Sequence, residues 1–475
     1  MDERLKKLEE LRKMKINPYP YKYERTHTFT ELKKDFEKLS QSEETVASCG
    51  RILAIRGHGK TVFATLTDET SKMQVYLRQD KLGDKFTIFG LYDIGDFIGV
   101  KGNLFKTKTN EITILVHDFA LLAKTLRPLP EKWHGLKDVE IRYRKRYLDL
   151  IANPEVREIF KQRTKLVGLI RKFFDDHGFV EMETPILQPI YGGGEANPFK
   201  TYYSALERDM YLRIADELYL KRLIVGGYEK VYEICRDFRN EGIDRFHNPE
   251  FSMIEVYQAY TDYEGIMDLV EHLVEFLLDN LSSSKTMVFC DREVELKRPF
   301  KRIKYTDALS EKLCFDILSA KESEVDKLCK AHGIDYKVLS TGAKIDKLFS
   351  ELIQKYIIEP TFVIDHPKVI SPLAKVHRKD ERLVERFEFI MFGIELANAF
   401  SELNDPVEQR KRFEAQLAQK AEGISKIDED FLEALEYGMP PCGGLGIGID
   451  RLSMILLDQP SIRDVILFPQ LRQER

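Results

Sequence analysis

From Glu233 to Tyr257 the chain reads EICRDFRNEGIDRFHNPEFSMIEVY. Apolar residues Val231, Tyr232 and Ile234 precede a charged, Gly-containing loop, and Phe251, Met253, Ile254, Val256 and Tyr257 follow it, so the stretch reads as a hairpin with a long loop. Arg236, Arg239, Arg245 and His247 offer cations or donors, and Glu233, Glu241 and Glu255 offer carboxylates. An ordinary hairpin tip carries Asn-Gly or Asp-Gly without such mixed charge on both arms. Alternation puts Phe251, Met253, Glu255 and Tyr257 on one strand face. A carboxylate among apolar neighbours is costly unless a cation or donor meets it. Either these charges pair with one another in solvent, or they meet a charged ligand.

Two further stretches could do chemistry. In RFEFIMFGIELANAFSELND, residues 386–405, Glu388 and Glu395 flank Gly393, and a turn there would let carboxylates of adjacent strands face one site. A hard cation such as Mg²⁺ takes one or two such carboxylates together with substrate phosphates. Asn398 and Glu402 share a strand face whereas Glu395 has the other parity, so bringing all three together requires a bulge or a turn. In GGLGIGIDRLSMILL, residues 443–457, a Gly-rich segment runs into an apolar helix with Arg451 in its first turn. Exposed N–H groups, helix dipole and guanidinium all favour an anion there.

The elements that must position these residues are partly legible. Residues 46–122 hold five short, Gly-punctuated, alternating strands, the pattern of a small closed β-barrel of the OB-fold type. Such barrels bind single-stranded nucleic acid on surface aromatics in a basic groove, and Phe63, Arg51, Arg56, Lys60 and Lys72 are the candidate surface set. A helical extension, 1–45, precedes the barrel at 46–123. Residues 124–150 read as a linker broken by Pro128, Pro130 and Gly135, with Arg142, Arg144, Lys145 and Arg146 beside Tyr143 and Tyr147. That cluster is either a solvated hinge or a contact with a polynucleotide. The remaining domain, 151–475, opens with Asn153 as a helix cap and Pro154 in the first turn, followed by an amphipathic helix bearing Val156, Ile159, Phe160, Leu166, Val167, Ile170, Phe173 and Phe174. A strand bent at Pro185, a loop at Gly192, Gly193 and Gly194, the strand YLRIA and a helix starting near Asp216 come next. Glu217 sits in that helix's first turn, where the dipole alone accounts for a carboxylate. An apolar-faced helix covers 263–281, and about 284–360 reads as a structural insertion.

The chain's 475 residues suggest two or three domains, and 43% hydrophobic with 32% charged residues describe a soluble globular protein. No apolar run approaches the roughly 20 residues that span a bilayer. The start, MDERLKKLEELRKMKINPYP, is too charged for a signal peptide. Six cysteines without C-x-x-C spacing suggest neither zinc nor disulfides and fit a reducing cytoplasm. Net charge is −5, but residues 1–150 carry 29 Lys+Arg against 22 Asp+Glu, the polarity expected of a region that meets phosphates.

FRNEG followed by HNPEF resembles motif 2 of class II aminoacyl-tRNA synthetases, and the E-x6-E and G-x-G-x-D-R stretches follow in that family's order. The long helix and proline-bent strand resemble its motif 1, which builds the dimer interface. With the barrel, the pattern looks like the branch that holds the aspartyl, asparaginyl and lysyl enzymes. ADELYLKRL, GNLFKTKTNE, RPLPEKWHGL, RYRKRYLDL, AFSELND and SIRDVILFP are similar to the lysyl family. The implied fold is α+β, an N-terminal five-stranded OB-fold barrel plus an antiparallel-sheet catalytic domain with flanking helices.

The resemblance implies lysine activation by ATP to lysyl-adenylate, then transfer to the 3′-terminal adenosine of lysine tRNA, in a cytoplasmic homodimer. It implies that Glu217 and the Gly193 backbone take the α-ammonium, and that Arg239 holds the lysine carboxylate against the α-phosphate. Glu255, Tyr257 and Glu402 would receive the ε-ammonium, with Asn398 near the carboxylate. Glu241, His247, Asn248 and Phe251 would seat ATP, Arg451 would pair with its γ-phosphate, and Glu388 and Glu395 would hold Mg²⁺ on the nucleotide. Phe63, Gln74 and Glu111 match positions that recognise anticodon uridines. A surplus of carboxylates suits a substrate ammonium, whereas an aspartate pocket would need surplus cations. Two departures fall near the substrate: GGGEANPF stands where many lysyl enzymes read GGAxARPF, placing Glu195 and Asn197 there, and Asp216 replaces a usual proline. The alternatives are aspartyl or asparaginyl specificity, a protein-modifying ligase, and a non-catalytic tRNA-binding paralogue.

Overall fold

The computed structural model describes residues 1–130, 136–194, 196–281, 284–337, 339–418 and 426–472. They fall into two compact units, Met1–Lys137 and Asp138–Arg475. Gly135 of the expected linker and Glu195 of the expected substrate loop lie outside the described residues.

In the first unit, helix α1 (Asp2–Lys13) and two short helices precede strands β1 (Val46–His58), β2 (Thr61–Thr67), β3 (Lys72–Arg78), β4 (Phe97–Lys106) and β5 (Ile112–Ala123). The strands close a barrel in the order β1-β2-β3-β5-β4. Period-two patterning drives closure: Met73, Val75 and Leu77 of β3 point inward beside Leu66, Ile98, Val100 and Ile114, while Gln74 and Tyr76 point out. Phe63 of β2 also points out and stacks on Tyr76 at 4.3 Å. Arg51, expected on the free surface, instead lies over the Phe97 ring at 4.2 Å and donates to the Gly95 carbonyl.

The expected linker is corrected at both ends. Lys124 has no exposed side-chain surface and pairs with Asp93 and Asp96 inside the first unit. In the second unit, 139–144 and 146–152 are helical, and the Arg146 guanidinium is buried on Asp149 and the carbonyls of Arg463 and Leu467. Arg142 also meets Asp149, and Arg144 meets Glu140. These cations anchor structure, because a buried guanidinium needs a carboxylate and carbonyls around it.

The second unit is built on helix α2 (Pro154–Asp176), strand β6 (Val180–Glu181), helix α3 (Glu217–Val225), strands β7 (Lys230–Phe238) and β8 (Glu250–Ala259), and helix α4 (Tyr263–Leu281). It continues through strands β9 (Lys301–Lys304), β10 (Thr361–Pro367), β11 (Leu383–Met391), β12 (Ile394–Ser401) and β13 (Cys442–Gly448), then helix α5 (Ile449–Leu456). Pro154 opens α2 as expected, but the Asn153 amide donates to Asp149 and makes no cap.

The eight strands form one sheet in the order β9-β10-β11-β12-β13-β8-β7-β6. One face, with Ile254, Val256, Ala397, Ala399, Leu445 and Ile447, packs under Leu166, Ile170 and Phe174 of α2 and Ile266, Val270 and Leu277 of α4. Alternation then sends Glu255, Tyr257, Asn398 and Phe400 to the other face. The region 284–360 adds a hairpin, whose Met287, Phe289 and Val294 join the main core, and three helices, Tyr305–Leu313, Glu322–Ala331 and Thr341–Leu352, which pack in a second apolar cluster with Val363 and Ile390 of the sheet.

Candidate active site

The site lies on the sheet face turned away from α2 and α4. Register sets two rows: Asn398, Gly446 and Glu255 on neighbouring strands β12, β13 and β8, and beside them Phe400, Gly444 and Tyr257. The glycines of 443–448 therefore do not form the segment of exposed N–H groups expected of them. They belong to β13, whose backbone pairs with β8 on one side and β12 on the other. Glycine is needed because side chains fill the space: a Cβ at Gly444 would overlap the Glu402 carboxylate, and one at Gly446 would come within 2.8 Å of Glu255 Oε1.

The parity problem at Glu395 is solved by a bulge. Phe392 and Gly393 turn with φ of 53° and 77°, and pairing then slips between Phe389 opposite Ala397 and Ile390 opposite Glu395. Leu396 is the extra residue, so Glu395, Asn398 and Phe400 share the site face while Leu396 and Ala397 are both buried.

A cavity of ≈ 390 Å³ gathers Gly193, Glu217, Arg239, Glu241, His247, Asn248, Phe251, Glu255, Tyr257, Glu395, Asn398, Glu402 and Arg451 on its wall. Glu388 is the expected residue of this domain that is not on that wall. It lies opposite Asn398 on β11, hydrogen-bonded to Arg386 at 2.7 Å and 3.7 Å from His366 Nε2. Burial opposes its charge, but His366 and Arg386 prevail and hold the Glu388 carboxyl down to about 2. The neighbouring Glu395 shifts the other way, pushed up by burial and then by the Glu388 charge.

At one end of the cavity the groups suit a polyanion. Arg239 lies 5.1 Å over the Phe251 ring, and its Nε donates a long bond to the Ile214 carbonyl. Arg451 donates to the Glu395 carbonyl at 3.0 Å and meets His247 Nε2 at 3.0 Å. A guanidinium only donates, so Nε2 accepts and the ring proton sits on Nδ1, facing Asp244 at 2.8 Å. Asn248 is tied down by the Glu250 carbonyl and the Gln470 N–H, so part of its bonding capacity serves the loop itself.

At the other end carboxylates outnumber cations. Glu217, Glu255 and Glu402 are each less than a tenth exposed. Lys221 pairs with both Glu217 and Glu402, but among the described residues Glu255 receives only the Tyr257 hydroxyl, at 3.1 Å. The Lys221 ammonium is in ion-pair contact with Glu402 Oε2, and Oε1 makes no hydrogen bond among the described residues. Burial, then Asp216, Glu217 and Asp237, push the Glu255 carboxyl well above the usual range. Behind it, Asp216 is buried with neither oxygen hydrogen-bonded, and Asp237 meets Arg213 at 3.3 Å.

Sequence reasoning missed Lys221, Arg213 and Asp450. Asp450 takes the Ser252 N–H at 2.7 Å and Arg163 of α2 at 2.6 Å, fixing the start of α5 against β8. Its place in the G-x-G-x-D-R stretch was the available signal. Lys221, four residues after Glu217, has the spacing of an ordinary surface pair.

Two acidic side chains, Glu388 and Glu395, test the expected metal. They are hard oxygen donors, close enough that the Glu388 charge disturbs the ionisation of Glu395, and they fit Mg²⁺ held jointly with phosphates. In the barrel, Phe63 and Gln74 share the outer face, Gln74 accepts from Thr113 at 2.9 Å, and the exposed Glu111 immediately precedes β5.

Residues 138–472 match the family described as tRNA synthetases class II (D, K and N), and residues 46–122 match the OB-fold nucleic acid binding domain. The chain is 52% identical over 476 residues to the lysine–tRNA ligase of Carboxydothermus hydrogenoformans, covering 99% of this chain and 97% of that one. It is 50% identical over 483 residues to the lysine–tRNA ligase of Thermotoga maritima, covering 100% and 96%. To that of Shouchella clausii it is 49% identical over 477 residues, covering 98% and 95%. The fold, the cavity on the sheet's open face and these matches agree: the chain belongs to the class II tRNA synthetases of the D, K and N group.

Proposed function

We propose that the protein is an ATP-dependent lysine–tRNA ligase. The observation that carries this is the carboxylate-rich end of the cavity, where buried Glu217 and Glu402 share Lys221 and Glu255 has no cationic partner among the described residues. A buried carboxylate without a cation is costly, so the site is completed by a cationic ligand. An aspartate or asparagine substrate would leave that charge uncompensated.

Lysine then lies with its α-ammonium at Glu217 and the Gly193 backbone, its ε-ammonium at Glu255, Tyr257 and Glu402, and its carboxylate toward Arg239 and Asn398. ATP lies at the polyanion end, adenine on Phe251, with Glu241, His247 and Asn248 around the nucleotide and Arg451 at the γ-phosphate. The lysine carboxylate attacks the α-phosphorus, forming lysyl-adenylate and releasing pyrophosphate. A hydroxyl of the tRNA's terminal adenosine next attacks the acyl carbon and releases AMP. Arg239 and Arg451 orient the reactants and offset developing negative charge, and no protein nucleophile is needed. Glu388 and Glu395 are the residues that would hold Mg²⁺, which there neutralises phosphate charge.

The barrel, 46–123, serves as anticodon reader through Phe63, Gln74 and Glu111, with 151–475 as catalytic domain and about 284–360 inserted into it. Exposed Val180, Ile186, Leu187, Tyr202 and Tyr203 around the proline-bent strand supply an apolar surface for a homodimer. No helix among the described residues is long and apolar enough to cross a membrane. We place the enzyme in the cytoplasm, where its substrates are.

ATP–pyrophosphate exchange with single amino acids tests this. Exchange with lysine, absent with aspartate and asparagine and lost in Arg239→Ala, is expected; exchange with aspartate alone would overturn the substrate assignment.

A further inference from the structure

Lys221 lies one helical turn beyond Glu217 on α3, has no exposed side-chain surface, and is not part of the cavity wall. Its ammonium forms ion pairs with Glu217 and with Glu402, just beyond β12, and sits 5.4 Å from the centre of the Phe400 ring. Burial works against its charge, but the two carboxylates outweigh that and hold it protonated. One cation thus joins two carboxylates from separate elements, and both reach the cavity where the proposed function needs the two substrate ammonium groups.

The charges complement such a substrate. Glu217, Glu255 and Glu402 with Lys221 leave two negative charges, matching the two ammonium groups of free lysine. Without Lys221, two buried carboxylates would repel, and either their spacing would widen or one would take up a proton.

Resting on the lysine reading, we infer that Lys221 is a positioning residue. It sets the separation of Glu217 and Glu402 and so selects a diammonium substrate of lysine's chain length over a shorter homologue. It touches no substrate and acts through the two carboxylates.

The test is ATP–pyrophosphate exchange by the full chain with lysine and with ornithine, using wild type, Lys221→Met, Glu402→Gln and the double variant. Lys221→Met is expected to raise the lysine KM roughly ten- to a hundredfold, the scale of a lost charged hydrogen-bond partner, with the ATP KM unchanged. The lysine-to-ornithine ratio of kcat/KM should fall by about tenfold or more, since one methylene is otherwise discriminated on that scale. In the Glu402→Gln background, Lys221→Met should raise the lysine KM less than it does in wild type, because one of the two carboxylates through which Lys221 acts is already neutral. Lys221→Arg keeps the charge with a longer fork; it should retain the fold and the ATP KM while shifting the lysine-to-ornithine ratio. An unchanged lysine KM and ratio in folded Lys221→Met or Lys221→Arg overturns the inference, as do additive effects of Lys221→Met and Glu402→Gln. Failure of both lysine variants to fold overturns it in favour of a purely structural role. Wild-type protein without lysine-dependent exchange overturns the lysine reading, and this inference falls with it.

Discussion

Two lysines with no exposed side-chain surface each sit between two carboxylates, one in the barrel and one under the sheet, and their surroundings differ. Lys124 reaches Asp93 at 2.5 Å, Asp96 at 2.7 Å and the Leu91 carbonyl at 3.0 Å. Asp96 also takes the N–H groups of Asp93 and Thr125 and the Thr125 hydroxyl. Every strong acceptor there is used, and the network is closed. Around Lys221, Glu217 and Glu402 share the ammonium, Glu402 Oε1 makes no hydrogen bond, and among the described residues Glu255 meets only a hydroxyl. A buried polar network that is complete holds a fold together, whereas one left incomplete against a cavity is completed by a ligand. Asp93 is drawn below the usual carboxylate range, burial being outweighed by Lys124 and Lys7, while Glu402 is pushed well above it by burial despite Lys221.

Breaking the closed network should have the largest effect. Lys124→Met leaves Asp96 without its cation and Asp93 with Lys7 alone, and is expected to destabilise the barrel by about 3–5 kcal/mol, read by hydrogen exchange of β4 and β5 amides, with the lysine KM unchanged. Breaking the open one should act on binding instead. Glu255→Gln is expected to raise the lysine KM by a factor corresponding to about 1.5–3 kcal/mol without lowering thermal stability, since it removes an uncompensated buried charge. A variant that lost stability but kept its KM would place Glu255 with the structural network.

Glycines sharpen the contrast at a smaller scale. Gly444→Ala puts a methyl group into the Glu402 carboxylate and should cost about 1–3 kcal/mol and lower kcat/KM for lysine. Gly57→Ala on β1, whose nearest neighbour would be 3.8 Å away, should leave exchange activity unchanged.

A last contrast is a difference in the sign of pH dependence. Asp237, buried behind the site, is raised from 3.8 to about 6 by burial, against the pull of Arg213 and Arg239. Between those values the folded state keeps a proton that the unfolded state releases, so stability falls as pH rises through that window, by up to about 3 kcal/mol. Asp93 is lowered, so its contribution is full above the usual carboxylate range and is lost as pH falls through its depressed value. Amide protection in the sheet of Asp237→Asn should lose its decline between pH 4 and 6, while protection in the barrel keeps its acid sensitivity.

Much of this was legible without coordinates. Alternation in KMQVYLR and its neighbours specified the barrel, because one buried face tolerates no register slip; Phe63 and Gln74, singled out together by resemblance, both lie on its outer face. The spacing of Glu395, Asn398 and Glu402 demanded a bulge, and it lies at Leu396. The misread stretches share a cause. A run of glycines looks the same as a phosphate loop and as a strand crowded by neighbouring side chains, since what removes the Cβ lies on other strands. Arg142 and Arg146 looked solvated because Asp149 and the carbonyls near residue 465 come into reach only after folding.

The sequence by itself determined which residue types share a strand face and that surplus carboxylates await a cation, for these follow from local periodicity and from counting charge. Only the tertiary structure decided that Lys221 is buried between Glu217 and Glu402, because burial depends on which strand closes over a helix. An i,i+4 Glu–Lys pair carries the same letters in solvent and in a core, where its energy and its consequence for the site are different.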